Sequence, residues 1–247
     1  MATSEQKRQK KLAKKRSKEI AKRKQLAAEK NALRSIGGQV TAASSGKFHQ
    51  CYIYNSLLDA ESHGIGAVVV SRFLPDGNVV SACFLIDRFC LGVKDCYARM
   101  MSPRQFSEHV QGMREHDLVR PCSPEMAKKC VADAVQWAGQ FGITPHPDYR
   151  TVEKIWPDVD ASQSDQEFSF GQDGKPMFIA GPNDSPARIQ QVMDALAAHA
   201  GEDSYHITAG IDPDAEGFGE IEVIDAPTGE ARPLDEDESI TRIDPAE

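Results

Sequence analysis

Cys90, His146 and Asp148 are the residues whose types could assemble a thiol nucleophile, with a cysteine sulfur to attack, an imidazole to take its proton and a carboxylate to orient the ring. Lys94, four residues after Cys90, is a cation that would favour the thiolate. A second combination, Asp87, Asp95, His146 and Asp148, offers oxygen and nitrogen ligands of the kind that hold magnesium, manganese or zinc in hydrolytic sites. Both sets have structural readings beside the chemical ones. His146 lies between Pro145 and Pro147, a setting that fixes a turn, and Cys90 stands between Phe89 and Leu91 as the end of a buried strand would. Asp87-Arg88 and Lys94-Asp95 each put a cation next to a carboxylate, as structural ion pairs do. Other stretches carry less. Asp212 and Asp214 lack the ligand pattern and closing Glu of a calcium loop, and Gly171, Gly174 and Gly181 around Lys175 do not spell a phosphate-binding loop. No cofactor is expected.

The elements that must position these residues read as an α+β domain with a mainly antiparallel sheet built from hairpins. Phe48–Tyr54 is rich in aromatic and β-branched residues and predicts a strand. Ala67–Leu74 and Val79–Ile86 flank Pro75-Asp76-Gly77-Asn78, a hairpin turn whose Asp-Gly tolerates positive φ. Glu167–Phe170 and Met177–Ala180 around Asp173-Gly174 predict a second hairpin, and Tyr205–Ala209 and Ile221–Ile224 two late strands. Ser102-Pro103, Ser123-Pro124 and Ser185-Pro186 announce three amphipathic helices, each with a serine cap and proline at the first helical position.

Three segments along this path share an order with other proteins. Cys90-Leu91-Gly92-Val93-Lys94-Asp95, Pro145-His146-Pro147-Asp148-Tyr149 and Asp173-Gly174-Lys175-Pro176 followed by Gly181-Pro182 resemble an uncharacterised family of bacterial proteins. The resemblance covers roughly residues 65–200 and implies a shared domain, without supplying an activity.

Charge gives the chain its strongest functional pattern. Residues 1–34 hold 13 Lys and Arg against Glu5, Glu19 and Glu29, whereas residues 201–247 hold 15 Asp and Glu against Arg232 and Arg242, under a formal net charge of -8. The expected organisation is a basic helical arm (1–34), a flexible Gly/Ser linker (35–47), a globular domain (48–224) and a disordered acidic tail (225–247). The arm is made of good helix formers, and Lys7, Arg8, Lys10, Lys11, Lys14, Lys15, Arg16, Lys18, Lys22, Arg23 and Lys24 give it a polyanion as natural partner. It holds no aromatic residue on which bases could stack, so binding to RNA or a ribonucleoprotein would be led by phosphate contacts. A membrane partner is not expected, because no run approaches the roughly 18 apolar residues that cross a bilayer and the arm lacks Trp and Phe. The six cysteines show no C-x-x-C pairing, which points to reduced thiols and the cytoplasm. The composition thus favours a non-enzymatic nucleic-acid-binding protein. Its rival is a metal-dependent hydrolase or nuclease that uses the arm as a substrate tether. Oligomeric state is not readable from the sequence.

Overall fold

The computed structural model describes residues 4–116, 118–181, 184–200, 204–208, 223–224 and 231–232. Two helices come first, α1 (Ser4–Ala32) and α2 (Ile36–Ser44), followed by strands β1 (Phe48–Tyr54), β2 (Ile65–Phe73), β3 (Val79–Asp87) and β4 (Gly92–Met101). Helix α3 (Pro103–Glu115), strand β5 (Val119–Pro121), helices α4 (Pro124–Gly139) and α5 (Tyr149–Val152), strand β6 (Met177–Ile179) and helix α6 (Pro186–Ala200) complete the body. Short strands β7 (His206–Thr208), β8 (Val223–Ile224) and β9 (Ala231–Arg232) close the order.

β4, β3, β2, β1 and β5 form, in that order, an antiparallel sheet, so the fold is α+β as its sequence pattern predicts. The β2–β3 turn falls at Asp76-Gly77, where Gly77 takes a φ of 86° and the Asp76 carboxylate accepts the Asn78 N–H. Alternation along the strands sends Val68, Val70, Val80, Ala82, Phe84 and Ile86 to one face, where they pack with Ala127, Cys130, Val131 and Ala134 of α4. Tyr52, Val69 and Val79 point to the other face and meet Phe106 and Val110 of α3. All three Ser-Pro helices form. Ser102 and Gln105 exchange both bonds of a capping box, and Ser123 caps α4 through the Met126 N–H.

Three expectations need correction. Residues 35–47 are not a flexible linker. Ser35 caps α2 by accepting the Gly38 N–H, Val40 and Ala43 are fully buried, and Gln39 accepts the Met100 N–H at 3.0 Å. The small residues serve close approach here: a Cβ on Gly46 would stand 1.9 Å from the Phe73 carbonyl oxygen. The second hairpin forms only its turn, bridging Gln172 and Lys175. Phe170 stacks on Trp137 instead of pairing, and β6 runs parallel to β7. β4, unrecognised in the sequence, pairs with β3 along its length. Of the stretch 225–247, Ala231–Arg232 is described, as a strand against β8, and the rest of the expected tail lies outside the described residues.

These contacts separate α1 from α2 energetically. Removing residues 1–32 should leave the melting temperature unchanged, because the side chains of residues 8–25 are exposed throughout. Removing residues 1–46 strips a buried valine and the carbonyl partners of a buried arginine, at a cost of about 3 kcal/mol or a loss of about 6–12 °C. Thermal unfolding of the two truncated proteins checks this, and equal melting temperatures would contradict the assigned role of α2.

Candidate functional site

The strand-end segment is a built turn. β3 ends at Asp87, which is 5% exposed, and its Oδ1 accepts the N–H groups of Phe89 at 2.9 Å and Cys90 at 3.1 Å. Burial raises the carboxyl above its ordinary range, against the pull of those N–H donors and of Lys94. Arg88, 2% exposed, donates to the carbonyls of Asp59 at 2.7 Å and Ser169 at 3.2 Å, pinning two loops beneath the turn. Gly92 restarts the strand at a φ of 63°, where a Cβ would lie 2.5 Å from the Ala134 carbonyl oxygen of α4.

Cys90 is fully buried among Leu91, Phe178 and Leu196, and burial pushes its thiol far above the ordinary range. A thiolate is disfavoured there, so the cysteine serves packing. Lys94 turns to Asp184, 3.8 Å away, whose other bond takes the Gly181 N–H at 2.8 Å. The lysine therefore fastens the approach to α6 rather than activating a sulfur.

The structure does bring three of the singled-out residues together. His146 donates its backbone N–H to the Val93 carbonyl, which docks the Pro145–Pro147 turn on the outer side of β4. Its Nδ1 accepts the Asp148 N–H at 3.3 Å, and its Nε2 lies 3.6 Å from Asp95. That pattern sets the lone pair on Nδ1 and the proton on Nε2, facing the carboxylate. The sulfur beside Nδ1 is not Cys90 but Cys96, 3.9 Å away.

Cys96, His146 and Asp95 thus stand in the order of a nucleophile, base and orienter. The thiol does not suit the role: it is 2% exposed, and burial together with the carboxylates of Asp148 and Asp95 pushes it up to about 12. It donates to the imidazole and locks the turn. The sequence reading missed Cys96 because it did not place a strand at 92–101. The alternation of that strand puts Cys96 toward the core and Asp95 toward solvent, and His146 straddles the two. Among the described residues no three His, Cys, Asp or Glu side chains converge as metal ligands. Asp87 in particular is committed to its own turn, apart from the Asp95–His146 pair.

The arm presents a different kind of surface. α1 is 29 residues long, about 43 Å, and the side chains of residues 8–25 are all exposed. Of the cations singled out in the sequence, Arg8, Lys10, Lys11, Lys14, Lys15, Arg16, Lys18, Lys22, Arg23 and Lys24 are described. Among them Arg23 has an acidic partner, Glu19 at 3.1 Å. Lys7 lies in the helix, and its side chain is outside the described residues.

No protein-family model matches this chain, and no curated protein or solved structure matches it either.

Two outcomes follow from the site. A carboxyl raised by burial contributes stability below about pH 4, where folded and unfolded forms are both protonated, and loses it as pH rises through the folded pKa. Asp87→Asn keeps an oxygen acceptor for the turn, so its stability relative to the unaltered protein should grow between pH 4 and pH 7 in denaturant titrations. A pH-independent difference would contradict the assignment. Cys90 and Cys96 should resist iodoacetamide at pH 8 in the native protein and react on unfolding, as peptide mass spectrometry would show. Rapid native labelling of Cys96 would restore it as a nucleophile.

Proposed function

We propose that this protein is a non-enzymatic, nucleic-acid-associated protein that docks on RNA or a ribonucleoprotein through α1. The observation that carries the reading is an exposed helix on which, among the described cations, only Arg23 is held in an ion pair. A rod so charged meets phosphate oxygens with little to displace except counterions and water. The body supports the reading by how it uses its polar residues. Asp87, Arg88, Lys94 and His146 are each committed to fixing a loop, and the sulfur next to the imidazole is buried. Among the described residues no helix is long and apolar enough to cross a membrane. All six cysteines are free, a state that suits the reducing cytoplasm, where we place the protein. The acidic residues 225–247, eight Asp and Glu against two Arg, act in this reading as a tethered competitor for the arm.

Filter binding of a mixed RNA pool at several salt concentrations tests the proposal. With about half the arm's cations engaged, log affinity should fall against log salt with a slope between about −4 and −6. Removing residues 1–32 should abolish binding, and removing residues 225–247 should tighten it, most strongly at low salt. Binding that does not respond to salt, or that survives loss of the arm, would overturn the proposal.

A further inference from the structure

The cations of α1 are not spread evenly around it. At about 100° per residue, positions 8, 11, 14, 15, 18, 22 and 25 share one arc of about 120°, a third of the circumference. Six of the seven are Lys or Arg (Arg8, Lys11, Lys14, Lys15, Lys18 and Lys22), and the seventh is Gln25. The opposite side is mixed: Gln9, Leu12, Ala13, Arg16, Ser17 and Ile20 line a shallow groove there, with Leu12 51% and Ile20 56% exposed. Between 8 and 25 no Asp or Glu lies within the arc; Glu19, paired with Arg23, stands just beyond its edge, one turn from Lys15 and Lys22.

We propose that α1 binds the phosphate rows of a double-helical nucleic acid through this one face. The proposal rests on the reading of α1 as a nucleic-acid arm and names the form of the partner. From Arg8 to Lys22 the face runs about 21 Å along a straight rod. A rigid one-sided row suits a rigid partner whose charges are also fixed in rows, whereas a flexible single strand could wrap and use cations on every side. Single-strand binders add base stacking on aromatic rings, and residues 4–32 contain no Phe, Tyr, Trp or His. A duplex also carries one charge per 1.7 Å or so and releases more counterion per contact than a single strand, about 0.9 against 0.7. Five of the six residues are lysines, point charges on flexible stems, which favours contacts indifferent to base sequence.

The test compares two variants of the full chain that lose the same charge. One carries Lys11→Gln, Lys14→Gln, Lys18→Gln and Lys22→Gln on the face, and the other Lys10→Gln, Arg16→Gln, Arg23→Gln and Lys24→Gln off it. Glutamine keeps helix propensity, and matched circular dichroism confirms that the two variants, each short of four positive charges, keep the same helix content. The probes are a 20-base-pair RNA duplex, a DNA duplex of the same sequence and the corresponding RNA single strand. The face variant should bind both duplexes at least about tenfold more weakly than its counterpart, with a salt slope shallower by about 3 to 4, against about 1 off the face. The unaltered protein should hold duplex above single strand, and the duplex held tighter identifies the source of the phosphate rows. Equal losses in the two variants, or preference for the single strand, would overturn the proposal while leaving α1 a nucleic-acid arm. Failure of the unaltered protein to bind any of the probes would remove the arm reading itself. Binding to phosphatidylserine vesicles that is lost on Leu12→Ser with Ile20→Ser would overturn it in favour of a membrane surface.

Discussion

A guanidinium cannot shed its proton inside a protein, so a buried arginine obliges its surroundings to supply acceptors. Arg72, on β2 and 1% exposed, imposes that demand at the centre of this fold. Its Nη1 donates to the carbonyls of Ser44 at 2.7 Å and Gly46 at 2.8 Å, its Nη2 pairs with Asp158, and its plane lies 3.7 Å over the Phe48 ring. The end of α2, the start of β1 and the loop at Asp158 therefore take their places around one side chain. Arg88 repeats the device at the far end of β3, gathering the loops at Asp59 and Ser169. Removing either arginine's acceptors would leave a buried charge short of partners, and so these loops are tied to the strands that carry the arginines.

One consequence concerns the arm. Because Arg72 holds the end of α2, and Ser35 caps its beginning, α1 leaves from an anchored base and not from a flexible tether. A second consequence concerns the strand ends. The polar residues that chemistry would prize there are consumed in holding turns: Asp87 by the amides of Phe89 and Cys90, Lys94 by Asp184, and His146 by Val93, Asp95, Cys96 and Asp148. The body is a scaffold in this account, and the chemistry on offer is the charge of α1.

How far the sequence could be read depended on whether the decisive interaction was local. The β2–β3 hairpin and the three Ser-Pro helices were legible because a turn and a cap are settled within a few residues. α2 was not, since its Gly and Ser composition imitates a linker and its order comes from Arg72, 28 residues beyond Ser44. The strand expected at Glu167–Phe170 failed for a similar reason: Phe170 is drawn to Trp137 on α4. β4 escaped because Lys94, Asp95 and Arg99 interrupt its apolar alternation, and with it went Cys96. His146 stood in the sequence as a candidate base or ligand beside Cys90, but which sulfur it meets, Cys96, depends on a long-range register that no local pattern carries. The basic face of α1 lay in the sequence from the outset, and it became visible once the helix was known to run unbroken from Ser4 to Ala32.

The central claim is that contact with nucleic acid belongs to α1 and not to the body. Ultraviolet crosslinking of the full-length protein to a mixed RNA pool, followed by peptide mass spectrometry, reads this directly. The account predicts crosslinked peptides from within residues 4–32, lost at high salt, with the His146, Asp95 and Asp87 segments unmodified. Crosslinks concentrated on the segments around Asp87 and His146, with α1 untouched, would contradict it.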